Sequence, residues 1–297
     1  MKNTRADIID LEAKIDSEKY PTLLKEIPDP PKVLFIKIKR GVSFNPGRSL
    51  AVVGTRKATR AGCDLAFKTA FELGARGFTI VSGLAMGIDS AAHKGALSAR
   101  AKTIAVMAGG LDNVYPPQNE ALAKEVLASG GALISEHPPG TPPYRHHFLA
   151  RNRIISGLSI ATIVVEAPKV SGAINTARLA AEQGREAFVF PGSADQLNYS
   201  GSNSLIRDGA RLVSSAEDIM DDLGVEYEKP EAADNPESRF NSEPERIIYK
   251  ILKEAGEPLS IDKIIEETKL QPQTASTAIA TLMVKRIIKE ERGRYFV

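Results

Sequence analysis

The chain has 297 residues, 42% of them hydrophobic, and a formal net charge of only +2. That length suggests about two domains on a prior of roughly 100–200 residues each, and the apolar share argues against global disorder. With charges so nearly balanced, a nucleic-acid site must come from where the charges sit, not from an overall excess.

No segment reaches the roughly 18–20 continuous apolar residues of a membrane span. The N-terminus has no apolar stretch of the kind that drives secretion. The single cysteine, Cys63, cannot close an internal disulfide, which suits a reducing compartment. The expectation is a soluble cytoplasmic protein with no membrane partner.

Residues 1–40 read as a leading segment, helical or extended. A weakly amphipathic helix is predicted through Ile8, Leu11 and Ile15, ending at Pro21, with Pro28, Pro30 and Pro31 behind it. From Leu50 short apolar runs alternate with helix-period stretches. Strands are predicted at 50–53, 78–81, 103–107, 132–134, 161–165, 187–190 and 211–213. Helices are predicted at 61–76, 88–98, 119–129, 152–158, 173–183 and 202–207. This alternation predicts an α/β fold over 41–222: an extended Rossmann-like, doubly wound, mostly parallel sheet. Nearly every strand exits into small or turn residues, and such sheets bind ligands outside the carboxyl ends of their strands. The binding site is placed there.

Residues 223–241 have an acidic linker composition. Ser242-Glu-Pro-Glu245 then reads as a helix start. Three helices and a hairpin turning at Arg292-Gly293 give 242–297 a winged-helix (α+β) plan.

Four motifs carry the chemistry. Gly54-Thr-Arg-Lys-Ala-Thr-Arg-Ala-Gly62 is a glycine-bounded strand-to-helix turn bearing Arg56, Lys57 and Arg60, with no acid between Pro31 and Cys63. Main-chain N–H groups and the helix dipole make such a turn an anion cradle. It lacks the G-x-G-x-x-G spacing of a dinucleotide site, and no Gly-Lys-Ser/Thr occurs anywhere, so no cofactor is expected.

Ser82 and Gly83 end the second strand as candidate donors. Asp89 and His93 follow at i,i+4 spacing, and read as a helix cap and a satisfied histidine more readily than as an acid/base or metal pair. Arg145-His-His-Phe-Leu-Ala-Arg-Asn-Arg153 lies in a stretch free of acids from Thr141 to Val165. Arg145 would reach a phosphate, and Phe148 could stack under a base or pack in the core. Arg151 and Asn152 are further candidate contacts. Arg151 or Arg153 could instead hold a buried ion pair or loop carbonyls. Ser171-Gly172 is a donor-rich turn facing the same cleft. Glu166 suits the ordering of main-chain N–H groups better than acid/base work, and Tyr115 could stack on a ligand but better suits a place beneath Pro116-Pro117.

Val53-Gly-Thr-Arg56, Ser82-Gly-Leu-Ala-Met-Gly-Ile-Asp-Ser-Ala-Ala-His93, Gly109-Gly-Leu-Asp-Asn-Val-Tyr-Pro116, Arg151-Asn-Arg-Ile-Ile-Ser-Gly157 and Pro191-Gly192 together resemble the DNA-processing protein A (DprA/Smf) family over roughly 20–218. The tail resembles the winged-helix appendage of some members. The resemblance implies a homodimeric single-stranded DNA-binding protein with no established catalysis. Such proteins protect incoming strands in natural transformation and help load the RecA recombinase. It implies DNA contacts at Arg56 and Arg145, with Phe148 near the bases. Thr55 stands where serine is common, and the helical N-terminal domain of many members is shortened here.

Two other functions remain open at this point. One is a nucleotide-cleaving enzyme of the phosphoribohydrolase type, although Ser171-Gly-Ala-Ile-Asn-Thr176 lacks that family's glycine pair and glutamate. The other is a regulator reading duplex DNA through 273–284, a stretch without a basic residue before Lys285 and Arg286.

Overall fold

The computed structural model describes residues 8–42, 44, 46–225, 240, 242–284, 287–291 and 293–297. They form two compact units, one within 1–227 and one within 228–297. In chain order the larger unit has β1 (Ile8–Lys14), α1 (Thr22–Lys25), β2 (Val33–Lys39), β3 (Ser49–Val53), α2 (Arg60–Ala75), β4 (Thr79–Ser82), α3 (Ile88–Ser98) and β5 (Thr103–Val106). There follow α4 (Glu120–Ala128), β6 (Ala132–Ser135), α5 (Arg145–Gly157), β7 (Ala161–Val164), α6 (Gly172–Glu182), β8 (Glu186–Val189), α7 (Ser200–Arg207), β9 (Arg211–Leu212) and α8 (Ala216–Asp222).

The strands make one sheet in the order β1-β2-β6-β5-β4-β3-β7-β8-β9. From β6 to β9 every neighbouring pair is parallel; β2 joins β6 antiparallel, and β1 joins β2 antiparallel. The chain builds outward from β3 through β4 and β5 to β6, then returns to the other side of β3 as β7. That reversal is a topological switch point, where the loops after β3 and β7 diverge to opposite faces and leave a crevice between them.

Both faces are covered. Leu50 and Val52 of β3 face a core shared with Ala66, Leu73, Ala92 and Ile219 of α2, α3 and α8. Ala51 and Val53 face the other core, with Ile154, Ile155, Ile174 and Leu205 of α5, α6 and α7. This period-2 division of a continuous apolar run is what a parallel strand buried on both sides requires.

Two expectations are corrected here, and one unpredicted strand is added. The segment around Ile8, Leu11 and Ile15 is not a helix: Ile8–Lys14 is a strand pairing residue for residue with Lys39–Val33. Residues 33–39 are a strand too, with Leu34, Ile36 and Ile38 buried on one face. The leading segment therefore extends the main sheet. Finally, the helix expected at 152–158 begins seven residues earlier, at Arg145.

His93 lies fully buried on α3, its Nδ1 2.7 Å from Thr103 Oγ1. The threonine hydroxyl donates to Ile80 O, so it accepts from the histidine, which is held as the neutral Nδ1–H tautomer. Burial, assisted by the nearby Arg151 charge, pushes its pKa down to about 3. An unfolded histidine titrates near 6.5, so the unfolded state takes up a proton below about that pH while the folded state does not. Stability present above pH 6.5 is thus lost as pH falls toward 3, at up to about 1.4 kcal/mol per pH unit for this one proton. Urea unfolding of wild type and His93→Gln at pH 7 and pH 4.5 checks this. The variant should lose less stability on acidification, and equal losses would refute the assignment.

The smaller unit has α9 (Glu243–Ala255), β10 (Leu259–Ser260), α10 (Ile261–Thr268), α11 (Pro272–Val284), β11 (Lys289–Glu291) and β12 (Arg294–Phe296). Its antiparallel sheet runs β10-β12-β11 over a core that includes Ile248, Leu252, Ile264, Ile279 and Leu282. Most of the acidic linker (226–239 and 241), Lys285, Arg286 and Arg292 lie outside the described residues. Among the described residues no helix is long and apolar enough to cross a membrane.

Candidate functional site

A cleft of about 760 Å³ opens at the switch point. Its walls are Gly54–Arg56 after β3, Pro168 and Val170–Ala173 after β7, and one side of α5 from Arg145 to Ile155. Both α5 and α6 begin at this cleft, so their dipole ends add to its positive potential.

The two basic motifs, nearly ninety residues apart in sequence, meet here. The Arg56 guanidinium lies 5.0 Å from the centroid of the Phe148 ring, within cation–π range. Tyr115 meets the same ring edge-on at 5.5 Å and also lines the cleft, so it belongs to the site and not merely to the support of a proline turn. Arg145 is exposed on the cleft wall at the first residue of α5.

The Arg56 loop is built from the back. Glu166 is fully buried at the end of β7, and its carboxylate accepts from Thr59 N–H at 3.1 Å, Thr59 Oγ1 at 2.9 Å and Asn198 Nδ2. It orders the main-chain N–H of Thr59 and, through the Thr59 and Asn198 side chains, the turn around it. Thr59 Oγ1 in turn caps α2 by accepting from Gly62 N–H. A Cβ at Gly62 would fall 1.8 Å from Glu166 Oε2, so glycine there is what admits the carboxylate. Gly87 performs the same service on the other flank, because a Cβ would stand 2.4 Å from Thr55 O.

Several expected contacts occupy different places. Ser82 and Gly83 are buried and already bonded, contrary to a donor role toward a ligand. Ser82 Oγ donates to Val52 O, and Gly83 N–H donates to Asp89 Oδ2. Arg151 is also buried, donating from Nη1 to Gly83 O at 2.8 Å and to Val106 O. Asp89 and Arg151 therefore clasp Gly83 at its two ends and tie β4 to β5 beneath the cleft. Burial raises the Asp89 carboxyl pKa, against the Arg151 charge that lowers it. Burial takes Arg151 down to about 10, opposed by Asp89.

Asn152 donates to Gly172 O at 3.2 Å and so fixes the start of α6. Arg153 is tied to Glu136 and Asp29. Ser171 is the N-cap of α6, its Oγ accepting from Ala173 N–H, and Gly172 is exposed on the cleft wall. Lys57 and Arg60 stand exposed on the Arg56 loop outside the cleft lining, Arg60 loosely paired with Asp64 at 3.9 Å.

A model of the DNA recombination-mediator protein A family matches residues 13–224. The DNA processing protein DprA of Bacillus subtilis is 44% identical over 219 residues, which is 73% of this chain and 73% of that protein. The crystal structure of DprA from Streptococcus pneumoniae superposes with a TM-score of 0.66 at 38% identity, covering 73% of this chain and 74% of the other. A structure of DprA from Helicobacter pylori, described for its single-stranded DNA binding mode, gives 0.64 at 31% identity over 74% and 97%. The family match over 13–224 takes in β2 to β9 and the cleft just described, and the chain belongs to the DNA-processing protein A (DprA/Smf) family.

Proposed function

We propose that this protein binds single-stranded DNA in the switch-point cleft without cleaving it. Phosphates would lie on Arg56 and Arg145, with Lys57 and Arg60 adding charge along the loop, and a base would lie against Phe148. The observation that carries this reading is the meeting of Arg56 with Phe148 at the crevice. A cation and a half-buried aromatic ring at one point match a phosphate joined to an unpaired base. The single-stranded DNA binding described for the Helicobacter pylori relative supports the same reading. The absence of catalysis belongs to the proposal as well, and Glu166, committed to Thr59 and Asn198, supports it.

In the cell this activity would protect incoming strands in the cytoplasm during natural transformation and help load RecA, with a homodimer as the working form. The smaller unit, three helices with an antiparallel sheet, fits a winged helix serving as an auxiliary contact surface. Lys289 and Arg294 are exposed on its strands.

Titrating a fluorescent dT oligonucleotide across salt concentrations tests the central claim. Neutralising two to four phosphates should give a log–log slope of about −1.4 to −2.8, on the relation of roughly −0.7 per phosphate for single strands. Duplex of the same length should bind more weakly, because its bases are stacked and offer Phe148 no open face. A flat salt response would sink the proposal.

A further inference from the structure

Tyr144, the residue before α5, is 54% exposed and makes no capping hydrogen bond there. Yet its ring is set within an ordered aromatic group. It lies parallel to His146, with centroids 5.9 Å apart and planes 4° apart, and it meets His147 edge-on at 5.3 Å. His146 meets His147 at 4.3 Å, and His147 stacks on His137 at 3.9 Å. His147 is anchored in turn by donating Nδ1–H to Ala108 O at 3.1 Å. Three of the chain's four histidines thus stand with an exposed tyrosine whose carbonyl accepts the His147 N–H but whose side chain makes no capping hydrogen bond. Large rings are ordinarily buried or held for a partner, since exposed apolar area is unfavourable.

Position and charge say which partner. Arg145, between Tyr144 and His146, is itself part of the cleft wall, so the aromatic group begins where the cleft ends. No acidic residue occurs from Thr141 to Val165, and nearby Glu136 is neutralised by Arg153 at 2.7 Å. A flat, weakly polar face beside an uncompensated cation suits a nucleobase with its phosphate, because every base presents a π face. An acidic peptide would find the cation but little use for parallel rings.

We propose that Tyr144 with His146 forms a second base platform, which takes an unpaired nucleobase flanking the one at Phe148. The proposal rests on the single-strand reading above. It makes Arg145 the phosphate contact between two base positions and sends the strand out of the cleft over the start of α5.

The test is a length series of dT oligonucleotides, from about 4 to 16 nucleotides, against the full chain at one salt concentration. Tyr144→Ala should weaken binding about tenfold for strands long enough to reach both platforms and leave the shortest cleft-binding strands unchanged. Tyr144→Phe should match wild type throughout, because the ring acts and not the hydroxyl. Arg56→Ala should lose affinity at every length.

If Tyr144→Ala equals wild type at all lengths while Arg56→Ala is weak, the platform is refuted and the cleft reading stands. If Tyr144→Ala loses equally at all lengths, the residue acts by shaping the cleft and the platform is again refuted. If wild type shows no salt-dependent single-strand binding, both proposals fall. An effect of Tyr144→Ala confined to capture of a protein partner, with oligonucleotide binding intact, would also overturn it.

Discussion

The double variant Arg56→Ala/Arg145→Ala should bind single-stranded DNA about 100-fold more weakly than wild type near 0.15 M salt. Hydrogen bonds to charged groups contribute about 1.5–3 kcal/mol each, so each arginine is expected to be worth at least about tenfold. The two line one cleft and share one strand, so their effects need not add strictly.

The salt slope separates this outcome from a general disturbance of the fold. Losing two phosphate contacts should shrink its magnitude by about 1.4. Arg56→Ala also removes the cation lying over Phe148, whereas Arg56→Lys keeps a charge there and should recover part of the loss. Anisotropy titrations at two salt concentrations decide the matter, and an unchanged slope in the double variant would remove the phosphate role from both residues.

How much of this site was legible beforehand depends on the kind of fact. Arg56, Arg145 and Phe148 stood out because a cation-rich, acid-free stretch with an aromatic inside is a local property of sequence. Strand order is not local. Nothing in the run of apolar segments says that β7 returns beside β3, and only that return brings the Arg56 loop to α5.

Residues 33–39 carry a strand signal of their own: Leu34, Ile36 and Ile38 alternate with polar or partly exposed neighbours in strand period. The start of α5 had a misleading one. Its first turn holds no acid and begins with an arginine, which opposes the helix dipole, and contacts of His147 and Phe148 with the loop after β5 override that preference. Ser82 and Gly83 were placed rightly at a strand end but not at an open one, because Arg151 covers them from a helix 68 residues away. Whether an arginine in a basic run faces solvent or main chain is decided by tertiary burial, and Arg151 and Arg153 both turned inward.

Arg151 accordingly carries the other large expectation, and its sign differs from that of the cleft arginines. Arg151→Ala should destabilise the larger unit by about 3–5 kcal/mol, the usual cost of stranding a buried charge by removing its partner. Asp89 would keep its two N–H donors but lose the larger of the two arginine charges acting on it, with Arg56 remaining, and its already raised pKa should rise further. The carbonyls of Gly83 and Val106 would lose the guanidinium donor that joins β4 to β5.

Removing both members relieves the stranded charge, so Arg151→Met/Asp89→Asn should be more stable than Arg151→Met alone; a urea-denaturation cycle over the four proteins measures the coupling. Binding gives the second readout. Because Nη1 is committed to two main-chain carbonyls beneath the cleft, the folded fraction of Arg151→Met should show the wild-type salt slope even where its affinity falls. A slope reduced by about 0.7 would mean that Arg151 turns out of the floor to meet a phosphate, and the clasp on Gly83 would then be only the resting arrangement.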